Sequence, residues 1–216
     1  MKNVLVVSVH PDDETLGCGG TILSHQLNGD RVFCLWVTNG NLDQESLLPE
    51  LMKRYKFEGT YSLDFPEVVL DDISLSEIIP RISEVVTETE ANILYIPNRS
   101  DPHSDHRRVF DACQACIKSF RYPSVEKVMM MEVQSETDFA PVLPESIFLS
   151  NVFVDITEVY EAKMKIVKLF KAELLPGPLT RSISSIEALS RYRGSQINVE
   201  HAESFMLLKE IVRRKV

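Results

Sequence analysis

Short runs of consecutive apolar residues alternate along this chain with longer stretches whose apolar positions recur at helical spacing. Residues 4–9 (VLVVSV) and 32–38 (VFCLWVT) are largely apolar and rich in β-branched side chains, the pattern of strands buried on both faces. Residues 92–97 (NILYIP) and 127–133 (KVMMMEV) read the same way, while 61–65 and 152–155 are shorter, weaker strands. Between them, residues 14–27, 47–57, 75–88, 106–120 and 157–174 have the spacing of helices. Asn28-Gly29 closes the first helix and Asn39-Gly40 the second strand. Proline and glycine mark 138–144 and 175–180 as the most flexible segments.

Strands alternating with helices imply right-handed βαβ units, hence an α/β fold with a parallel sheet covered on both faces. A chain of 216 residues suits one domain, 1–216. In such sheets ligands gather at the carboxyl ends of the strands. Two of those ends hold the chemistry described below.

Composition narrows the field. Hydrophobic residues at 44% and charged residues at 25% allow a packed core, so disorder describes the chain poorly. A net charge of −9 argues against nucleic-acid binding, which needs clustered Lys and Arg. The one basic cluster, Arg213-Arg214-Lys215, reads as a solvated helix end. No stretch approaches the roughly 20 apolar residues of a transmembrane segment. The apolar run at 4–9 leads into His10-Pro11-Asp12 instead of a small-residue cleavage site. Cys18, Cys34, Cys113 and Cys116 are too scattered for a disulfide framework, which points to a reducing, cytoplasmic setting.

The first constellation is His10-Pro11-Asp12-Asp13-Glu14, directly after strand one and opening a helix. An imidazole and a carboxylate three residues apart on such a turn can converge on one cation, and both are ordinary zinc donors. Asp12 and Asp13 are neighbours whose side chains diverge, so one can bind metal while the other faces the water. Acidic capping of the helix explains the pentapeptide equally well on its own. The second constellation is Asp101-Pro102-His103-Ser104-Asp105-His106, at another strand-to-helix junction. A catalytic zinc takes three protein ligands and keeps one open position. His10, Asp13 and either His103 or His106 complete that set. The spare histidine then stands beside the open position as an acid or electrostatic group, fixed in one tautomer by a carboxylate. Two His/Asp clusters at two strand ends favour a metal site over surface decoration.

These residues carry a resemblance. His10-Pro11-Asp12-Asp13-Glu14 with Thr15-Leu16-Gly17-Cys18-Gly19-Gly20 resembles the opening motif of the PIG-L/LmbE-like de-N-acetylases, and His103-x-Asp105-His106 resembles their second motif. The likeness continues through Val37-Thr38-Asn39-Gly40, Phe153-Val154-Asp155-Ile156, Arg193-Gly194 and Ala202-Glu203-Ser204-Phe205. It implies a Rossmann-like, three-layer α/β/α fold with a mostly parallel sheet. The implied activity is removal of an N-acetyl group from an N-acetylglucosamine-type, small-molecule amino-sugar conjugate. The resemblance makes His10, Asp13 and His106 the metal ligands, Asp12 the general base, and His103 the electrostatic or acid partner, oriented by Asp105. The metal is Zn2+ by this likeness, and a His₂Asp donor set suits Fe2+ as well. Homo-oligomers are common in the family, and no stretch here marks an interface.

Departures from the pattern are local. Ser104 stands where the family commonly has proline, and Pro102 where some members carry a polar or basic residue beside the oxyanion. Tyr192 could supply a replacement hydroxyl, and Arg54 is a candidate sugar or phosphate contact. The segments 41–54 and 136–147 are the candidate pocket rim. Gly17-x-Gly19-Gly20 does not match a dinucleotide fingerprint and is expected to allow close helix packing. Cys113 and Cys116 read as buried, inert thiols, His25 and His201 as structural, and Met129–Met131 as a buried strand. Two competing classes are a metal phosphoesterase, which would need ligands for two ions about 3.5–4 Å apart, and a non-catalytic nucleotide-binding module.

Overall fold

The computed structural model describes residues 1–213. In chain order its elements are β1 (Asn3–Ser8), α1 (Asp13–Leu27), β2 (Arg31–Thr38), α2 (Leu42–Tyr55), β3 (Gly59–Phe65), α3 (Leu75–Glu88) and β4 (Ile93–Ile96). There follow α4 (Ser104–Ala115), β5 (Lys127–Met131), β6 (Val152–Asp155), α5 (Tyr160–Val167), α6 (Ile183–Ser195) and β7 (Ala202–Glu210). Three 3₁₀ turns, at Leu70–Asp72, Thr137–Phe139 and Thr157–Val159, complete it.

The seven strands form one sheet in the order β3-β2-β1-β4-β5-β7-β6. The five strands from β3 to β5 pair in parallel, as the alternation of elements predicts. β7 runs antiparallel to both β5 and β6, so the sheet is mixed at one edge. β1 shows why its sequence is apolar at every position. Val4 and Val6 pack on one face with Cys18, Ile22, Leu51 and Tyr55 of α1 and α2. Leu5 and Val7 pack on the other with Ile78, Ile82, Val109 and Ala112 of α3 and α4.

Several boundaries differ from the sequence expectation for local reasons. α2 begins at Leu42 instead of 47. Asn41 caps it, accepting from the Gln44 N–H at 3.0 Å while Gln44 Oε1 accepts from the Asn41 N–H at 2.9 Å. α4 ends near Cys116 instead of 120. The long helix expected over 157–174 is a 3₁₀ turn followed by α5, which ends at Val167. Beyond it the chain tightens into i→i+3 bonds, Leu169 N–H to Ile166 O and Phe170 N–H to Val167 O. α6 and β7 have no counterpart among the expected elements. In β7 Glu203 and Ser204 are polar yet buried, which breaks the apolar signature of a strand. The chain therefore reaches Arg213 from a strand, not a helix end, and Arg213 donates to Pro123 O. Arg214 and Lys215 lie outside the described residues.

β7 also reaches α1 through Glu203. The carbonyl of Leu16 and the N–H of Gly20, one helical turn apart in α1, both have side-chain partners from outside the helix. Here Lys163 Nζ takes Leu16 O at 3.1 Å, and Glu203 accepts from Gly20 N–H at 2.8 Å and Thr21 N–H at 2.7 Å. Lys163 and Glu203 pair at 2.7 Å, both nearly sealed from water. A Cβ on Gly20 would lie 2.7 Å from Ile156 Cγ2, so only glycine admits this approach. The four cysteines are free and buried. Among the described residues, no helix is long and apolar enough to cross a membrane.

Candidate metal centre and active site

β1 and β4 are neighbours in the sheet, so the loops leaving their carboxyl ends meet. The first loop delivers His10, Asp12 and Asp13. The second delivers Asp101, His103, Asp105 and His106. One ligand atom from each of His10, Asp13 and His106 falls within 4.8 Å of the other two, and all three residues are buried. Asp13 Oδ2 lies 3.4 Å from His106 Nε2 and 3.8 Å from His10 Nδ1, and it accepts from the His10 backbone N–H at 2.9 Å. Asp13 Oδ1 is buried and has no hydrogen-bond partner.

Each of these histidines is held from behind by a carboxylate. His106 Nδ1 stands 2.9 Å from Asp101 Oδ2, and Asp101 Oδ1 accepts from Asn98 Nδ2 at 2.6 Å. His10 Nε2 stands 3.2 Å from Asp105 Oδ2. Asp105 also accepts the N–H groups of Val68 at 2.7 Å and Leu70 at 3.1 Å. Such partners fix ring orientation and leave the second nitrogen of each ring aimed at Asp13.

The electrostatics follow from burial and pairing. Burial alone would push the Asp13 carboxyl up, but the facing His106 and His10 outweigh it and hold it well below the usual carboxylate range. Burial likewise disfavours a charged His106, yet Asp13 and Asp101 on either side raise its pKa well above the ordinary histidine value. Asp12 behaves oppositely. Burial, then the neighbouring Asp13, raise its carboxyl well above the usual value, and Arg181 only partly offsets them. Glu14 is also raised by burial, and its carboxylate accepts from Ser8 Oγ at 2.9 Å, Thr15 Oγ1 at 2.6 Å and Trp36 Nε1 at 3.1 Å.

His103 lies half-buried beside the cluster, its ring centroid 4.6 Å from that of His10. As the N-cap of α4 it accepts the Asp105 N–H on Nδ1 at 3.2 Å. The backbone of Asp105, not its carboxylate, thus orients His103, while the carboxylate is engaged with His10. Burial, then His10 and His106, push His103 below the ordinary histidine pKa. Glu67 offers a carboxylate within 4.8 Å of His10 and His103. That second grouping shares His10 with the first, so the two do not amount to independent three-ligand sites for a two-metal phosphoesterase.

Arg54 and Tyr192 are not brought to this cluster. Arg54 is exposed on α2 and paired with Glu50 at 2.6 Å, one helical turn away. Tyr192 is 59% exposed, with the Arg193 guanidinium 5.3 Å over its ring. His25 pairs with Asp30 and Tyr95, and His201 stacks on Tyr160, both structural contacts. Residues absent from the sequence reading are Arg181, Glu173 and Glu67. Arg181 Nη1 lies 3.1 Å from Asp12 Oδ2 and 3.1 Å from Glu173 Oε2. Its Nη2 lies 3.7 Å from Glu136 Oε1, which brings the start of the 136–147 segment to the site. No spacing in the sequence pointed to Arg181, because it lies 169 residues from Asp12. Asp101 was legible as a carboxylate five residues before His106.

A Rossmann-like α/β/α sheet carries a buried His/Asp/His cluster, a candidate metal site, at the carboxyl ends of adjacent strands. The chain belongs to the PIG-L: GlcNAc-PI de-N-acetylase family, whose pattern it matches over residues 5–117. It is 24% identical over 196 residues to the diacetylchitobiose deacetylase of Thermococcus kodakarensis, covering 80% of this chain and 70% of that one. Its fold matches the N,N'-diacetylchitobiose deacetylase of Pyrococcus horikoshii complexed with its inhibitor MPG, at a TM-score of 0.76 and 18% identity, covering 96% and 84% of the two chains. It also matches, at a TM-score of 0.74, 16% identity and full coverage of both chains, the 4-carboxy-2-hydroxymuconate hydratase GalB of Pseudomonas putida. The fold therefore hosts more than one chemistry, and the reaction has to be argued from the site.

Proposed function

We propose that this chain hydrolyses the N-acetyl group of an N-acetylglucosamine-type amino-sugar conjugate, using a divalent metal held by His10, Asp13 and His106. The observation that carries this reading is Asp13. Its Oδ2 faces both imidazoles and its Oδ1 is buried without a partner. A buried, unpaired carboxylate oxygen is costly in a protein interior, and a cation is the group that satisfies it. The donor set suits Zn2+ and also Fe2+. When bound, such a metal polarises the amide carbonyl and makes water a nucleophile near neutral pH.

The chain's own residues supply the rest. Asp12 is the base. It is buried beside Asp13 with its Oδ2 held by Arg181, which places it to take a proton from water as oxygen attacks the acetyl carbon. His103 accepts on Nδ1 from the Asp105 N–H, so Nε2 carries its N–H and can donate a hydrogen bond to the amide oxygen as that oxygen gains charge. The C–N bond then breaks as Asp12 passes the proton taken from water to the departing nitrogen, and acetate and the free amine leave. The segment 136–147, whose Glu136 lies 3.7 Å from Arg181, is the candidate rim for the conjugate. The free, buried cysteines agree with a cytoplasmic enzyme working as one domain.

Metal content by plasma mass spectrometry, on the wild type and on His106→Ala, tests the site. Acetate release from N-acetylglucosamine conjugates tests the reaction. Near-stoichiometric metal that His106→Ala loses, together with acetate release, is the expected result. Metal without acetate would overturn the substrate assignment, and no metal in either protein would overturn the site.

A further inference from the structure

Several carboxylates surround the reaction site in addition to the ligand Asp13, among them Asp12, Glu14, Glu136 and Glu173. Of these, Asp12, Glu136 and Glu173 converge on one guanidinium, that of Arg181. Arg181 is only 16% exposed, and its Nε is buried without a partner, so it is held by these ion pairs and not by solvent. Its Nη1 binds Asp12 Oδ2 and Glu173 Oε2, both at 3.1 Å. Glu173 in turn accepts from Asn41 Nδ2 at 2.9 Å, and Asn41 is the capping residue of α2. A continuous chain therefore runs from Asp12 through Arg181 and Glu173 to the start of a helix packed on the sheet. Asp12 Oδ1 makes no hydrogen bond among the described residues.

We infer that Arg181 is a positioning residue for the reaction: it anchors Asp12 by Oδ2, so that Oδ1 is the oxygen presented to the attacking water. This rests on the deacetylase reading with Asp12 as base. A carboxylate buried beside Asp13 would otherwise turn away from that like charge, and a charge-assisted bond from a guanidinium fixes its rotation. Glu173 and Glu136 hold the guanidinium itself, one on each Nη. The segment 175–180, which precedes Arg181, thereby gains a role that its proline- and glycine-rich sequence conceals.

The test compares wild type, Arg181→Ala and Arg181→Lys, each loaded with zinc and its metal content measured. Arg181→Ala is expected to lose about 100-fold or more in kcat, the scale of one misplaced proton-transfer group. KM should stay within about threefold and zinc content should be unchanged. Guanidinium ion added at millimolar concentration should restore part of the Arg181→Ala rate and none of the rate of Asp12→Asn. Arg181→Lys, which keeps the charge, should fall between the two and serves if the alanine variant does not fold. A rise in KM at constant kcat would make Arg181 a substrate contact and overturn the inference, as would an unchanged kcat or a failure of guanidinium to rescue. A crystal structure of zinc-loaded Arg181→Lys or Arg181→Ala supplies a readout that needs no activity. Asp12 rotated from its wild-type position supports the inference, and an unmoved Asp12 overturns it. A wild type that releases no acetate would count against the deacetylase reading, leaving this structural comparison intact.

Discussion

His106 Nδ1 and Asp101 Oδ2 stand 2.9 Å apart, both sealed from water, with the opposite ring nitrogen of His106 facing Asp13. This places the imidazole between two carboxylates, and in the proposed metal site Asp101 holds the ring of His106. Replacing Asp101 by Asn keeps the size of the side chain and removes the charge. Loss of such a partner typically weakens metal affinity by about 10–100-fold. Competition with a chromogenic chelator should read a zinc Kd shifted by that factor in Asp101→Asn, and an unchanged Kd would contradict the role.

The proton on His106 makes metal binding depend on pH. In the metal-free protein its pKa is raised well above the ordinary value, against the effect of burial, by Asp13 and Asp101. Below that pKa a metal must displace a proton to reach Nε2, and above it the nitrogen is free. Apparent zinc affinity should therefore rise as pH rises from 6 towards the His106 pKa and level off beyond it. Calorimetry in buffers of different ionisation enthalpy should record protons released on binding. Heats that do not vary with the buffer would rule this out.

Asp12→Asn should separate chemistry from metal binding. Asp12 is not among the three residues that converge on the metal position, so zinc content should be retained. A missing general base typically lowers the rate by about 10²–10⁴-fold. The measurement is kcat for acetate release alongside metal content. Loss of both metal and activity would show Asp12 to be a ligand instead.

Lys163 and Glu203 bind backbone groups inside α1, and both are nearly sealed from solvent. Removing either partner alone leaves a buried charge and unsatisfied backbone groups. Lys163→Met or Glu203→Gln should each destabilise the protein by about 3–5 kcal/mol. The double variant should lose less than the sum of the two, because the second change removes the charge stranded by the first. Urea denaturation measures all three, and strictly additive losses would show that the pair does not act as a unit.

Much of this protein was determined by its sequence alone. The apolar runs at 4–9, 32–38 and 92–97 must be buried on both faces, which requires a parallel sheet with helices on either side. The His/Asp spacings of 10–13 and 103–106 lie on single strand-to-helix turns, so local chain geometry suffices to group them and family likeness to rank them. Only the tertiary structure decided what stands behind and across from those residues. Asp105 turned out to hold His10 and not His103, because the N-cap geometry of α4 gives His103 the Asp105 backbone N–H and leaves the carboxylate free to reach across. Arg54 and Tyr192 kept their charge and hydroxyl but were carried by α2 and α6 to exposed positions. Arg181 reached Asp12 across 169 residues, and Glu203 entered α1 from a strand whose polar residues hid it. Such contacts depend on how elements distant in the chain pack, and helical or strand periodicity reports only on neighbours within one element.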